Sequence, residues 1–285
     1  MTTTRPLAVL GSINLDLIAT AQRLPSPGET IGGGVLSRQP GGKGANQAAA
    51  AARLGSAARM IGAVGDDDAG REMLAALGTA GVDTHDVAVR STPTGTALIV
   101  VDAEGENQIV VCPGANSEAS VDGVALHADE TLLCQLEVGL GVVLEAAQRH
   151  TGFFALNAAP AQRLPRELIE RCDLVIVNEF EYEQMPELAD ARLVAITYGK
   201  DGSALLRGGK LAARAPGRAV AVVNTVGAGD AFCAALVLAL RTGLPDALAL
   251  AVANAVGADA VGQASSQPDL ARLGDYIARA EEFAR

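Results

Sequence analysis

From residue 131 onward the apolar positions fall into two rhythms. Continuous apolar runs at 131–136, 153–157, 173–177 and 193–197 predict buried strands. Helical spacing of apolar residues follows the first two, predicting helices over 138–149 and 164–171, and two more close the chain at 246–261 and 268–284. Such alternation implies a parallel sheet with helices on both faces. Polar residues stand where these strands end: Glu137, Asn157, Asn178 and Thr197. They share one rim of the sheet, the edge where open α/β sheets bind ligands.

The first half is less regular. Strands are predicted at 7–11 and 59–64, an Ala-rich helix runs to about 54, and a helix after Asp66, Asp67 and Asp68 ends near 78–81. The triple Asp invites a metal reading, but acidic residues ahead of a helix commonly cap it. Segments 12–20, 29–39 and 94–112 are extended, polar or glycine-broken, and form a small separate sheet outside the main core. Within the first, Asn14 and Asp16 share a face while Ile13, Leu15 and Leu17 take the other. A carboxylate beside an amide suits a vicinal diol; the plainer alternative is the polar side of an edge strand.

Residues 223–232 concentrate the chemistry. A strand at 219–223 meets an apolar helix at 231–240 through Gly227, Ala228 and Gly229. Such a turn aims unpaired N–H groups at one point, where the helix dipole adds positive potential. Asp230, in the first helical turn, is placed to take a proton from a hydroxyl while those N–H groups hold charge on a transferring phosphoryl. Alternatively, acids simply favour helix N-termini and glycines serve any tight turn. A second glycine motif adds weight: Gly41, Gly42, Lys43, Gly44, Ala45 and Asn46 open the Ala-rich helix. It is neither a Walker A loop nor a dinucleotide fingerprint. It offers closely approachable backbone, an ammonium and an amide.

Composition narrows the partners. Hydrophobic residues make up 49% of the 285, aromatics only 3%, and Trp is absent, so the core is aliphatic. A net charge of −11 and a pI near 4.8 argue against nucleic acid or an anionic membrane as partner. No signal peptide or membrane-spanning run is evident, and a cytoplasmic location is expected. Cys112, Cys134, Cys172 and Cys233 lie far apart in apolar runs, which predicts buried free thiols. His85, His127 and His150 lack metal-ligand spacing and stand away from both glycine motifs, against His-based catalysis.

With both motifs in hand, the chain resembles the ribokinase branch of the PfkB sugar-kinase family over nearly its whole length. The matching stretches hold Gly11, Asn14 and Asp16; Gly41 to Asn46; Thr94, Gly95, Gly105, Asn107, Gly114 and Asn116; Gln135 and Glu137; Asn178 and Glu181; and Gly227 to Asp230. The resemblance implies a single domain over 1–285, a three-layer α/β/α sandwich around a mostly parallel sheet, with the small sheet as a lid often shared in a homodimer. It implies Asp230 as catalytic base and Gly227, Ala228 and Gly229 as anion hole. Asn14, Asp16, Gly42, Lys43, Asn46 and Glu137 would hold the sugar. Asn178, Thr197, Gly199, Gly202 and Asn254 would meet the nucleotide, and Glu181 would organise Mg²⁺ with ATP.

The implied activity is transfer of the ATP γ-phosphoryl group to the 5-hydroxyl of ribose. Alternatives are a deoxyribose or nucleoside kinase and, more remotely, a non-catalytic sugar-binding protein. A monovalent cation site, implied at Asn224, Val226, Ala260, Gln263, Ser265 and Asp269, departs from the family pattern. Asn224 stands where K⁺-dependent members usually carry Asp, and an amide brings no charge; Asp269 would have to restore it. Residues 184–192 are also short for the family.

Overall fold

The computed structural model describes residues 5–283; residues 1–4 and 284–285, the ends of the expected single unit and of its last helix, lie outside the described residues. In chain order the strands are β1 (Leu7–Leu10), β2 (Asn14–Thr20), β3 (Val35–Gly41), β4 (Ala58–Gly65), β5 (Val87–Arg90), β6 (Gly95–Val101), β7 (Asn107–Cys112), β8 (Thr131–Gln135), β9 (Phe153–Asn157), β10 (Leu174–Asn178), β11 (Leu193–Thr197), β12 (Ser203–Arg207) and β13 (Lys210–Ala215). The helices are α1 (Lys43–Arg53), α2 (Asp68–Thr79), α3 (Leu140–Arg149), α4 (Arg166–Arg171), α5 (Glu179–Gln184), α6 (Ala228–Arg241), α7 (Asp246–Val261) and α8 (Leu273–Phe283).

Nine strands make one sheet in the order β13-β12-β11-β10-β9-β8-β1-β4-β5. Pairing is parallel from β11 to β5, and only β12 runs against the others, pairing antiparallel with both β11 and β13. Alternation along each strand divides its side chains between two cores. Leu7, Val9, Leu133 and Ile176 meet α1, α6 and α7 on one face, while Ala8, Leu10, Leu132 and Val175 meet α3 and α4 on the other. That gives the expected three layers. Helix α6 is buried almost all round, and small Ala side chains on α1 and α7 let the helices approach it closely. The smaller sheet has the order β3-β2-β6-β7. Among the described residues no helix is long and apolar enough to cross a membrane.

The structure differs from the sequence reading in several places. Residues 219–223 are not a strand: Val220, Val222 and Val223 are exposed, and the N–H groups of Val223 and Asn224 bond the carbonyl of Val261 at the end of α7 instead. The antiparallel hairpin β12–β13 and strand β5 were not foreseen. Helices α3, α4 and α8 begin later than expected, at Leu140, Arg166 and Leu273. Cys112 is exposed on β7 while the other three cysteines are buried; the smaller sheet has no layer over that strand's end. Asp67 resolves the acidic triplet as a cap, accepting from the backbone N–H of Gly70 at 2.7 Å.

Candidate active site

The strand ends of the parallel sheet carry the site. After β1 the chain turns through Ser12 into β2, whose register fixes what faces inward. Asp16 pairs with Ala97 and Ala97 with Val111, so all three look the same way. Asn14 stands two residues before Asp16 on that face, as the sequence predicts. Its Oδ1 accepts from Asn116 Nδ2 at 2.7 Å, and Asn116 Oδ1 in turn accepts from the backbone N–H of Ile13 at 2.8 Å. Asp16 is buried yet accepts no hydrogen bond from the described residues. Burial first, then Glu137 and Asp230, pushes its carboxyl up to about 7.

Gly42 has φ +87°, and a Cβ there would lie 2.7 Å from the carbonyl oxygen of Ser12. Only glycine brings the chain so close to β2. Lys43 follows as the first residue of α1, and its backbone N–H donates to Glu137 Oε2 at 3.2 Å. Ser12 Oγ donates to the same carboxylate oxygen. The Lys43 ammonium is held above its usual range, chiefly by Asp230, against burial, with Glu137 and Glu181 adding to it.

Asp230 sits in the first turn of α6, 8% exposed. Its Oδ2 accepts from Asn46 Nδ2 at 3.1 Å and its Oδ1 from Gln47 Nε2 at 2.9 Å. Burial raises its carboxyl, opposed by Lys43 and by both amides. The helix opens at Gly227, which is left-handed at φ 82°, and a side chain there would collide with the Ser266 carbonyl. Of the three expected anion-hole donors, Ala228 N–H is turned to the Thr225 carbonyl at 3.3 Å. Gly227 and Gly229 both line the cavity, and their N–H groups bond no backbone carbonyl among the described residues. A Cβ built on Gly229 would meet nothing within 4 Å. There is room for a phosphoryl group beside it.

One cavity of about 390 Å³ gathers most of the expected residues: Asn14, Asp16, Gly42, Lys43, Asn46, Glu137, Asn178, Glu181, Thr197, Val226, Gly227, Gly229 and Asp230 all line it. Asn178 and Glu181 form a capping box on α5: Asn178 Oδ1 accepts from Glu181 N–H at 2.7 Å, and Glu181 Oε2 accepts from Asn178 N–H at 2.8 Å. Burial raises the Glu181 carboxyl, partly offset by that backbone N–H and by Lys43. Among the described residues no group of three or more His, Cys, Asp or Glu is arranged to hold a metal ion. A lone cavity-facing carboxylate instead fits Mg²⁺ that arrives on nucleotide phosphates, since Mg²⁺ favours one or two carboxylates plus phosphate and water oxygens.

Gly199 and Gly202 bracket a 3₁₀ turn beside a second cavity of about 490 Å³, lined by Glu179, Tyr198, Asp201, Ser203, Arg214, Ala215 and Pro216. Asn254 forms no part of either lining. It accepts from Ser203 Oγ at 2.9 Å and donates to the Ala215 and Pro216 carbonyls, each at 3.1 Å, so it braces that cavity's wall from behind.

The expected monovalent-cation residues are close together but already satisfy one another. Asn224 Oδ1 accepts from Val226 N–H at 3.0 Å, and Asn224 Nδ2 donates to the Ala264 carbonyl at 2.8 Å. Gln263 exchanges bonds with Asp269 backbone, donating at 2.9 Å and accepting at 2.9 Å. The Ala260 carbonyl accepts from Gln263 N–H at 3.1 Å, and Ser265 Oγ from Gln267 N–H at 3.1 Å. The Asp269 carboxylate is fully exposed, 3.9 Å from Arg53. With its amides paired among themselves and its one carboxylate turned to solvent, the set offers K⁺ no buried charge.

Five polar residues of the site had no role assigned from the sequence, although Ser12, Asn116 and Gln135 stand in the stretches that carry the resemblance: Ser12, Gln47, Asn116, Gln135 and Gln267. All are buried. Gln47 carried a signal, as a lone amide inside an alanine run, and Asn116 and Gln135 carried one in the matching stretches; Gln267 carried none.

A buried carboxylate beside a glycine turn, at the rim of a parallel sheet, is thus the centre of the candidate site. Residues 4–272 match the pfkB family of carbohydrate kinases, and the chain belongs to that family. It is an ATP-dependent sugar kinase. It is 40% identical over 268 residues to the ribokinase of Bacillus subtilis, spanning 88% of this chain and 90% of that protein. The crystal structure of the Thermotoga maritima ribokinase superposes with a TM-score of 0.86 at 27% identity, over 98% of this chain and 99% of that one. The Arabidopsis thaliana ribokinase, solved with ribose and ATP, gives 0.86 at 28% identity over the same shares.

Proposed function

We propose that this kinase transfers the γ-phosphoryl group of ATP to the 5-hydroxyl of D-ribose. The observation that carries the reading is Asp230, buried in one cavity that Asn14, Asp16, Glu181 and Thr197 also line. Asn14, Asp16, Lys43 and Glu137 offer acceptors and a cation to the ring hydroxyls. Asp230 takes the proton of the 5-hydroxyl as its oxygen attacks the γ-phosphorus, and ADP leaves with the bridging oxygen's electron pair. Charge on the moving group meets the N–H groups of Gly227 and Gly229 and the Lys43 ammonium. Mg²⁺ bound with ATP, near Glu181, would supply further neutralisation of the phosphates. K⁺ is not required in this reading.

The β2-β3-β6-β7 sheet serves as a lid. Ala97, Ile99, Ile109 and Val111 turn toward the cavity, the last two still half exposed, while Leu36, Leu98 and Val110 face the other way and are exposed. A homodimer joined through that apolar outer surface, in the cytoplasm, completes the proposal. The test is ADP release with MgATP across ribose, 2-deoxyribose, fructose and adenosine. Ribose should give the highest kcat/KM. Preference for deoxyribose or adenosine would reassign the acceptor, and no turnover with any of them would reject the reading.

A further inference from the structure

Behind the proposed base lie two buried amides, Gln47 and Gln135, that form no part of the cavity lining. Gln47 is fully buried, and both its donor hydrogens are committed: Nε2 donates to Asp230 Oδ1 at 2.9 Å and to Asn157 Oδ1 at 3.0 Å. Its Oε1 accepts from Gln135 Nε2 at 2.5 Å. Gln135 in turn is fully buried at the end of β8, and its own Oε1 has no partner. Leaving a buried carbonyl unpaired costs stability, so the amide orientation is not what burial alone would select. That orientation has one evident effect: it forces the acceptor of Gln47 away from Asp230 and the donor toward it.

We propose that Gln47 is a positioning residue for Asp230, fixing the carboxylate's plane and keeping it ionised, and that Gln135 sets the direction in which Gln47 points. The inference rests on the reading of Asp230 as the base. Asn46, the neighbour of Gln47 on α1, holds the other oxygen at 3.1 Å and is itself held by Gln267 Nε2 at 3.3 Å. The two consecutive side chains straddle the carboxylate, so it cannot rotate without losing one of them. Removing the Gln47 donor favours the neutral acid in a site where burial already does so. The other titratable groups around Asp230 are Lys43 on α1, Asp16 on β2, Glu137 after β8 and Cys233 on α6. None of them bonds Gln47.

The experiment is the pH dependence of kcat in Gln47→Met, Gln135→Met, Asp230→Asn and the double variant Gln47→Met/Asp230→Asn. Gln47→Met should lose about 10- to 100-fold in kcat at pH 7 with both KM values within about threefold of wild type. Its acid limb should move up by about one pH unit or more, so that activity partly recovers in alkali. Gln135→Met should move the limb the same way by less, and serves alone if Gln47→Met does not fold. In the Asp230→Asn background Gln47→Met should cost nothing further. An unmoved acid limb in the variants that fold, or a loss that multiplies with Asp230→Asn, overturns the proposal. Wild-type turnover in Asp230→Asn would instead refute Asp230 as the base.

Discussion

The carboxylate of Asp16 stands directly against the bare Cα of Gly41, so that a Cβ at position 41 would fall inside it. The two meet because β2 and β3 pair antiparallel, with Asn14 opposite Gly41 and Asp16 opposite Gln39. The absent side chain at 41 is therefore what lets Asp16 face the cavity. Gly41→Ala should swing Asp16 aside and raise the KM for sugar at least about tenfold, a cost near 1.4 kcal/mol. The KM for ATP should hardly move. An unchanged sugar KM would show that Asp16 does not touch the sugar.

Asp16 also sets a pH dependence. Its carboxyl titrates near 7 in the folded protein, against an ordinary value of 3.8, chiefly because it is buried. Below about pH 7 it is neutral and a poorer acceptor for hydroxyls, so sugar KM should rise as pH falls through 7. Asp16→Asn should flatten that limb while weakening binding throughout. The stability effect has the opposite sense. The folded state binds this proton more tightly than the unfolded state, so ionisation costs stability increasingly from about pH 4 to 7 and by a constant amount above. Asp16→Asn should therefore raise Tm more at pH 8 than at pH 4.

The face shared by Asn14 and Asp16, and the rim of polar strand ends, were legible because strand alternation and parallel topology follow from local pattern. The 208–209 Gly-Gly pair between β12 and β13, at φ +54° and +72°, was also legible as a hairpin turn but lay outside the αβ rhythm that organised the reading. Residues 219–223 show the reverse error. Their β-branched run has strand propensity, yet propensity forms no strand where the backbone partner is a helix C-terminus. The partners of Gln135 and Gln267 were illegible for a different reason. Their bonds reach across 88 and 221 residues of sequence, and no local pattern encodes a partner at that distance.

Gly229 separates the anion-receptive turn from the structural needs of α6. A methyl group there meets nothing within 4 Å, and alanine suits a helix better than glycine by up to about 1 kcal/mol. Gly229→Ala should melt at or slightly above wild type. Its methyl nonetheless enters the space proposed for the phosphoryl group, so kcat should fall about 10- to 100-fold. Full activity in a well-folded Gly229→Ala would place the transferring group elsewhere.

The outer surface of the small sheet makes a claim about assembly. Leu98 pairs with Val110, and these side chains are 46% and 60% exposed. Charge at such positions costs the isolated subunit little. Val110→Asp should convert a dimer to a monomer in sedimentation while leaving Tm within a few degrees. A monomeric wild-type protein would refute assembly through this surface.

Asn224 carries the last expectation. Its amide bridges the turn before α6 to the loop after α7, one end on Val226 N–H and the other on the Ala264 carbonyl. A cation placed there would have to displace the Nδ2 hydrogens from that carbonyl and would find no buried carboxylate to offset its desolvation. Turnover should thus be equal in K⁺ and Na⁺ at matched ionic strength, and Tm should not distinguish the two. Asn224→Asp removes the donor to Ala264 and adds a negative charge beside the vacated carbonyl. That variant should lose activity in Na⁺ and regain part of it in K⁺, with a Tm that rises with K⁺ concentration as linkage requires. K⁺ stimulation of the wild-type enzyme, accompanied by a K⁺-dependent Tm, would show instead that the bridge opens to admit the ion.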